Sequence, residues 1–201
     1  MSAPIDFYFD FSSPYGYFAA LRIEALAAKY GRTVAWHPVL LGAIFKTTGC
    51  APLPMVPLKG DYSYRDFERT ARLHGIPYKR PATFPISTQL AARAMTWIAR
   101  DFGDAKAVAF AKAAFASYFA DGLDITRPEG LAPACEAAGL KHEAVLDGAN
   151  SQDIKDMLKA GVDAAVARGV FGSPFMIADG EPFWGFDRFD QLEAFLKNGK
   201  I

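Results

Sequence analysis

A serine pair set against a proline, Ser12-Ser13-Pro14, interrupts an aromatic run that extends from Phe7 to Tyr17. The residues before it read as a strand, and a helical pattern begins directly after it. That order places Ser13 at a helix N-terminus, with Pro14 at the first helical position, where its missing N–H costs nothing. Main-chain donors and the positive end of the helix dipole converge there, which favours an anion or a thiolate. The protein offers no thiol of its own at this point. Its two cysteines, Cys50 and Cys135, lie far apart, with no C-x-x-C and no zinc spacing. His37, His74 and His142 are scattered and read as structural or surface residues, so no metal is expected. On residue types alone, Ser13 is either a plain helix cap or the hydroxyl of an anion site.

Three other places carry polar groups in suggestive settings. Gly172-Ser173-Pro174 precedes a strand, and on base chemistry its X–Pro bond reads as trans. Gly185-Phe186-Asp187-Arg188 opens the last helix, with Asp187 as N-cap and Asp190 three residues on as a partial capping box. Lys59 lies in a Gly- and Pro-rich stretch, where a lone lysine is ordinarily solvated surface. Tyr15, Tyr62, Tyr64, Phe84, Trp97 and Trp184 are aromatic enough to wall a pocket, but core is their default.

The elements that must position these residues are of α/β type. Ile5 to Phe9 reads as a strand, Pro14 to Tyr30 as one helix ended by Gly31, and Thr33 to His37 as a second strand. This β-α-β unit implies a parallel pair. Residues 42–60 read as an irregular loop. Helices are predicted at Tyr62–His74, Ser87–Asp101, Ala105–Ala120, Pro128–Ala138 and Ser151–Arg168, separated by Gly and Pro. Phe175 to Ala178 and Glu181 to Trp184 form a hairpin about Asp179-Gly180, and a last helix runs from about Arg188 to Lys197.

Composition narrows the function classes. Half of the 201 residues are apolar (51%), enough for a substantial core. The 22 basic residues equal the 22 acidic ones, which argues against a nucleic-acid partner. The alanine-rich stretch 105–120 is broken by Lys106 and Lys112, so no membrane span is expected. Two isolated cysteines and an N-terminus bearing Asp6 and Asp10 fit a cytoplasmic protein.

Four motifs in order resemble one family over nearly the whole chain: Phe7 to Tyr15, Met55 to Tyr62, Gly169 to Pro174, and Trp184 to Arg188. The family is that of the 2-hydroxychromene-2-carboxylate isomerases and kappa-class glutathione transferases, with a DsbA-like thioredoxin fold. The resemblance implies a discontinuous thioredoxin-like domain (1–60 and 169–201) with an all-helical insertion (61–168). It implies that the C-P-x-C frame of thioredoxin-like oxidoreductases is replaced by Ser13-Pro14-Tyr15-Gly16, with glutathione as cofactor supplying the missing sulfur. Ser13 matches the catalytic serine, a donor to the thiolate and not itself the nucleophile. Pro14 and Tyr15 complete that site.

The same resemblance implies a cis bond at Ser173-Pro174, turning the Ser173 N–H and C=O outward to pair with glutathione as an added strand. It places the Phe186 main chain and the Asp187 carboxylate at the γ-glutamyl end, and Lys59 near a carboxylate of glutathione or substrate. Cys50 stands where kappa relatives have asparagine, a weaker hydrogen-bonding group at that contact. The implied function is glutathione-dependent isomerisation of 2-hydroxychromene-2-carboxylate, a small aromatic substrate of aromatic degradation, by a homodimer. A kappa-type transferase is the alternative. A thiol–disulfide oxidoreductase lacks its thiols here, and a non-enzymatic binder of small aromatics remains a distinct class.

Overall fold

In the computed structural model, which describes residues 3–201, both ends of the chain contribute to one four-stranded sheet. β1 (Ile5–Phe9) and β2 (Val34–Pro38) run parallel, with Phe7 opposite Trp36. β3 (Phe175–Ala178) pairs antiparallel with β1, and β4 (Glu181–Trp184) antiparallel with β3. The order is β2-β1-β3-β4, so the β-α-β and β-β-α patterns of the sequence are two parts of a single sheet. Alternation along β1 sends Ile5, Phe7 and Phe9 to one face, where all three are buried. There Phe7 meets Trp36 edge-on, and Phe9 packs against Phe11 and Phe115. Asp6 and Tyr8 point the other way, and Arg168 donates to both of them. Asp179 and Gly180 both take positive φ (51° and 90°), the hairpin geometry expected of that pair.

Between the strands the helices differ in detail from the sequence pattern. The single helix expected over Pro14–Tyr30 is two, α1 (Pro14–Ala20) and α2 (Ile23–Lys29). Residues 42–60, expected as a loop, lie largely in ordered structure: α3 (Leu41–Thr48), a 3-10 turn (Leu53–Met55) and the start of α4 (Lys59–His74). Gly and Pro masked an apolar set at Leu41, Ile44 and Phe45, three and four residues apart, of which Ile44 is buried. The break after α1 falls where the bonding pattern tightens. The Arg22 N–H bonds back three residues to Ala19, and its guanidinium donates to the His74 carbonyl at the end of α4. One side chain thereby caps a second helix.

α5 (Gln89–Phe102), α6 (Asp104–Ala116), α7 (Ala132–Ala137), α8 (His142–Asn150) and α9 (Gln152–Ala167) form the helical block, and α10 (Phe189–Asn198) follows β4. The pattern does not announce α8, which carries Gly148 inside it. That glycine serves packing: a Cβ there would lie 2.2 Å from the Trp97 ring. α6 gives way at Ser117 to a π turn, and Pro128 opens a 3-10 turn before α7. One core runs through sheet and helices, with Phe119 stacked on Tyr17 and on Phe115 at the junction. No helix among the described residues is long and apolar enough to cross a membrane.

Candidate active site

The chain leaves β1 at Phe9 and turns into α1 within four residues. Ser13 is the N-cap, in extended backbone, and its Oγ accepts the Gly16 N–H at 3.0 Å, with Pro14 opening the helix. The same hydroxyl donates to the Ser173 carbonyl at 2.9 Å, across 160 residues of sequence. The Ser173–Pro174 bond is cis, and the loop before β3 folds against the head of α1. The Ser173 carbonyl is thus engaged by Ser13, where the family resemblance has both main-chain groups turned outward. Its N–H donates to no protein acceptor among the described residues. Gly16 stands where the C-P-x-C frame carries its second thiol. A Cβ at that position would lie 2.8 Å from Ser173 Oγ and 3.0 Å from Ser13 Cβ, so a glycine is what lets the two serines approach.

Asp10 ties this turn together and was not singled out by the sequence pattern. Its buried carboxylate accepts from the Ser12 N–H at 2.7 Å, the Leu41 N–H at 2.7 Å and the Thr88 hydroxyl at 2.8 Å. Its main chain accepts from the Ser13 N–H and donates to Ser173 Oγ at 3.0 Å. Burial pushes the Asp10 carboxyl above its ordinary pKa, against the pull of the bonds from Ser12, Leu41 and Thr88. The available signal is an acid inside Phe7–Phe11, where every other side chain is aromatic. Ser12, the neighbour that competes with Ser13 in the sequence, has a structural tie of its own. Its Oγ accepts from the Ile86 N–H at 3.2 Å, just past a second cis bond at Phe84–Pro85.

The remaining candidates surround this centre at different removes. The Tyr15 hydroxyl donates to Asp66 on α4, whose other oxygen receives Tyr62 and Arg69. Burial, then Asp66, push the Tyr15 phenol well above its ordinary value, with Asp187 adding to the shift, so Tyr15 is a neutral donor. Gly185 donates to the Pro174 carbonyl at 3.0 Å, which fastens the following Phe186-Asp187 turn to the cis-proline loop. The Phe186 side chain is core, packed on Phe18, His74 and Phe189.

Asp187 is not the helix cap that the sequence suggests. Gly185, at φ 108°, opens a 3-10 turn over Phe186–Arg188, α10 starts only at Phe189, and no side chain caps either element. Asp187 instead accepts from Arg188 at 2.7 Å. Lys59 is exposed at the head of α4, after Leu58 with its positive φ of 68°. Cys50 is exposed and touches only the Thr48 carbonyl, at 4.0 Å. Neither residue bonds to the Ser13 cluster. Cys135 is buried, and burial pushes its thiol up to about 11.

Known proteins share this architecture. The chain matches the DSBA-like thioredoxin domain family over residues 4–197. It is 32% identical to a 2-hydroxychromene-2-carboxylate isomerase of Sphingobium xenophagum over 199 residues, 98% of this chain and 99% of that protein. It is 24% identical to a kappa-class glutathione transferase of Caenorhabditis elegans, over 96% of this chain and 91% of that one. Among solved structures, a 2-hydroxychromene-2-carboxylate isomerase superposes with a TM-score of 0.85 at 29% identity, covering 96% of this chain and 94% of its own. A probable DsbA oxidoreductase of Streptomyces coelicolor, at 20% identity and a TM-score of 0.78, shares the fold. With a serine and a glycine at the two positions where that fold's oxidoreductases carry thiols, the chain belongs to the DSBA-like thioredoxin family, in the branch of the 2-hydroxychromene-2-carboxylate isomerases and kappa-class glutathione transferases.

Proposed function

We propose that the protein is a glutathione-dependent isomerase that interconverts 2-hydroxychromene-2-carboxylate and trans-o-hydroxybenzylidenepyruvate. The observation that carries this reading is the Ser13 hydroxyl, 2.9 Å from the carbonyl of the cis-proline loop, beside a glycine that leaves no room for a second thiol. The donor set fits a zwitterionic peptide thiol. Ser173 presents a main-chain N–H without a protein acceptor, Lys59 is a cation for a carboxylate, and Asp187 is an acid for the γ-glutamyl ammonium. The Phe186 main chain would hold the same γ-glutamyl end, while Pro14 and Tyr15 shape the floor. Cys50 replaces an amide with a weak donor, so its share of binding is small.

Glutathione, when bound, would supply a thiolate nucleophile, the chemistry that can make a conjugated double bond rotatable without net consumption of the thiol. The chain's task is to keep that sulfur ionised. Lowering a thiol pKa of about 8.5 by roughly two units takes about 2.7 kcal/mol. α1 is only seven residues long, which puts its dipole at the lower end of the ~0.3–1 kcal/mol range. A hydroxyl donating to a charged acceptor adds about 1.5–3 kcal/mol, so Ser13 and not the helix carries most of the effect. To donate, Ser13 exchanges the Ser173 carbonyl for the sulfur.

Calorimetric titration with glutathione, followed by chromene turnover with the glutathione content measured throughout, tests the proposal. Binding, many turnovers per glutathione and loss of turnover in a folded Ser13→Ala variant are expected. Stoichiometric loss of glutathione would turn the reading to a kappa-type transferase, and absence of binding would end both.

A further inference from the structure

Ser13 cannot serve the sulfur without giving something up. A serine has one proton to donate, and here it goes to the Ser173 carbonyl while the Ser13 oxygen accepts from Gly16. The side chain of Ser173 is in the opposite condition. Its Oγ is held by the Asp10 N–H at 3.0 Å, yet its own proton meets no protein acceptor among the described residues. The two hydroxyls share one location. A Cβ built on Gly16 would lie 2.8 Å from Ser173 Oγ and 3.2 Å from Ser13 Oγ, so both oxygens overhang the same turn of backbone.

We propose that the Ser173 hydroxyl is a second catalytic donor, bonding to the same thiolate as Ser13. The proposal rests on the reading that glutathione sulfur occupies the head of α1, and goes beyond it, since that reading asks only for the Ser173 main chain. Ser173 is the better prepared of the pair. Its oxygen is fixed by a main-chain donor on β1's exit, and no existing bond of its hydroxyl breaks when sulfur arrives. A donor held in place before the charge appears costs no reorganisation when it does. The Asp10 N–H bonded to the same oxygen also polarises the O–H, which strengthens what it can donate. A merely structural Ser173 would anchor Asp10 and leave the thiol untouched.

The test is the ionisation of bound glutathione, followed by the ultraviolet absorbance of its thiolate across pH in wild type, Ser173→Ala and Ser173→Thr. Loss of the hydroxyl should raise the apparent pKa of the bound thiol by about one to two units, the equivalent of one charge-assisted hydrogen bond. Threonine keeps the hydroxyl and should restore the wild-type value. An alanine variant whose bound thiol titrates as in wild type overturns the proposal. If that variant fails to fold because the Asp10 N–H has lost its acceptor, a crystal structure of the wild-type complex decides instead. Sulfur within hydrogen-bond reach of Ser173 Oγ supports the assignment, and sulfur in reach of Ser13 alone refutes it. Wild type that binds no glutathione by calorimetry would defeat the underlying reading, a result separate from either of these.

Discussion

Replacing Asp10 should reveal how the head of α1 is held, and two substitutions separate the contributions. The carboxylate uses its oxygens unequally: Oδ1 takes the Ser12 N–H and the Thr88 hydroxyl, and Oδ2 takes the Leu41 N–H. Asp10→Asn can keep its carbonyl oxygen at the first two donors and place its NH2 against Leu41, so one contact is lost. Asp10→Ala loses all three. A buried donor left without a partner costs about 1–3 kcal/mol, so Asp10→Asn should destabilise by ~1–2 kcal/mol. Three such losses, offset in part by removal of a carboxylate that burial disfavours, should cost ~3–5 kcal/mol in Asp10→Ala. Urea unfolding followed by tryptophan fluorescence reads both as midpoint shifts at constant slope. The reasoning fails if alanine is no worse than asparagine, or if both fall within the ~0.5 kcal/mol typical of surface changes.

Three further outcomes follow from other parts of the structure. Alkylation of the native protein near neutral pH should modify Cys50 quickly and leave Cys135, whose thiol is pushed up to about 11, until the chain unfolds; equal rates by mass spectrometry would contradict this. For Asp6 and Asp66, burial raises the pKa but ion pairs and hydrogen bonds reverse it, so both lie below their ordinary value when folded. The stability they supply is present above the ordinary carboxylate range and is lost as pH falls through the folded values, whereas that of Asp10, raised by burial, is full in acid and lost as pH rises through its folded value. Asp66→Asn should therefore flatten the drop in Tm on acidification, and an unchanged slope would count against the Asp66 network. Lys59→Ala should weaken glutathione binding by ~2–5-fold at low salt, with the difference shrinking as salt is added; a salt-independent change would point to packing instead.

Local chemistry was the legible part of this chain. Ser13 before Pro14, and Asp179 before Gly180, announce a cap and a hairpin because neighbouring residues alone decide those geometries. The four strands read correctly for the same reason, whereas the helices were legible only in part. Part of what escaped depends on partners far along the chain. The Asp10 side chain is held by Leu41 and Thr88, 31 and 78 residues away. The break between α1 and α2 involves a carbonyl of α4, 52 residues from Arg22. Asp187 looked like a cap by residue type, but Gly185 had already set the chain into a tighter turn. The Ser173 side chain carried no signal, since its importance comes from lying over Gly16.

The placement of β3 has a consequence for biosynthesis. At about 5–20 residues per second, a ribosome needs roughly 8–32 s to make the 160 residues between Ser13 and Ser173. Once β2 has been made, β1 has it along one side and, until β3 follows, a bare ladder edge along the other, the kind of edge that recruits foreign strands. Phe7 lacks its strand neighbour Met176 for as long. A nascent chain arrested before Ser173 would carry Ser13 without the carbonyl it docks on, so the head of α1 would be left half-built.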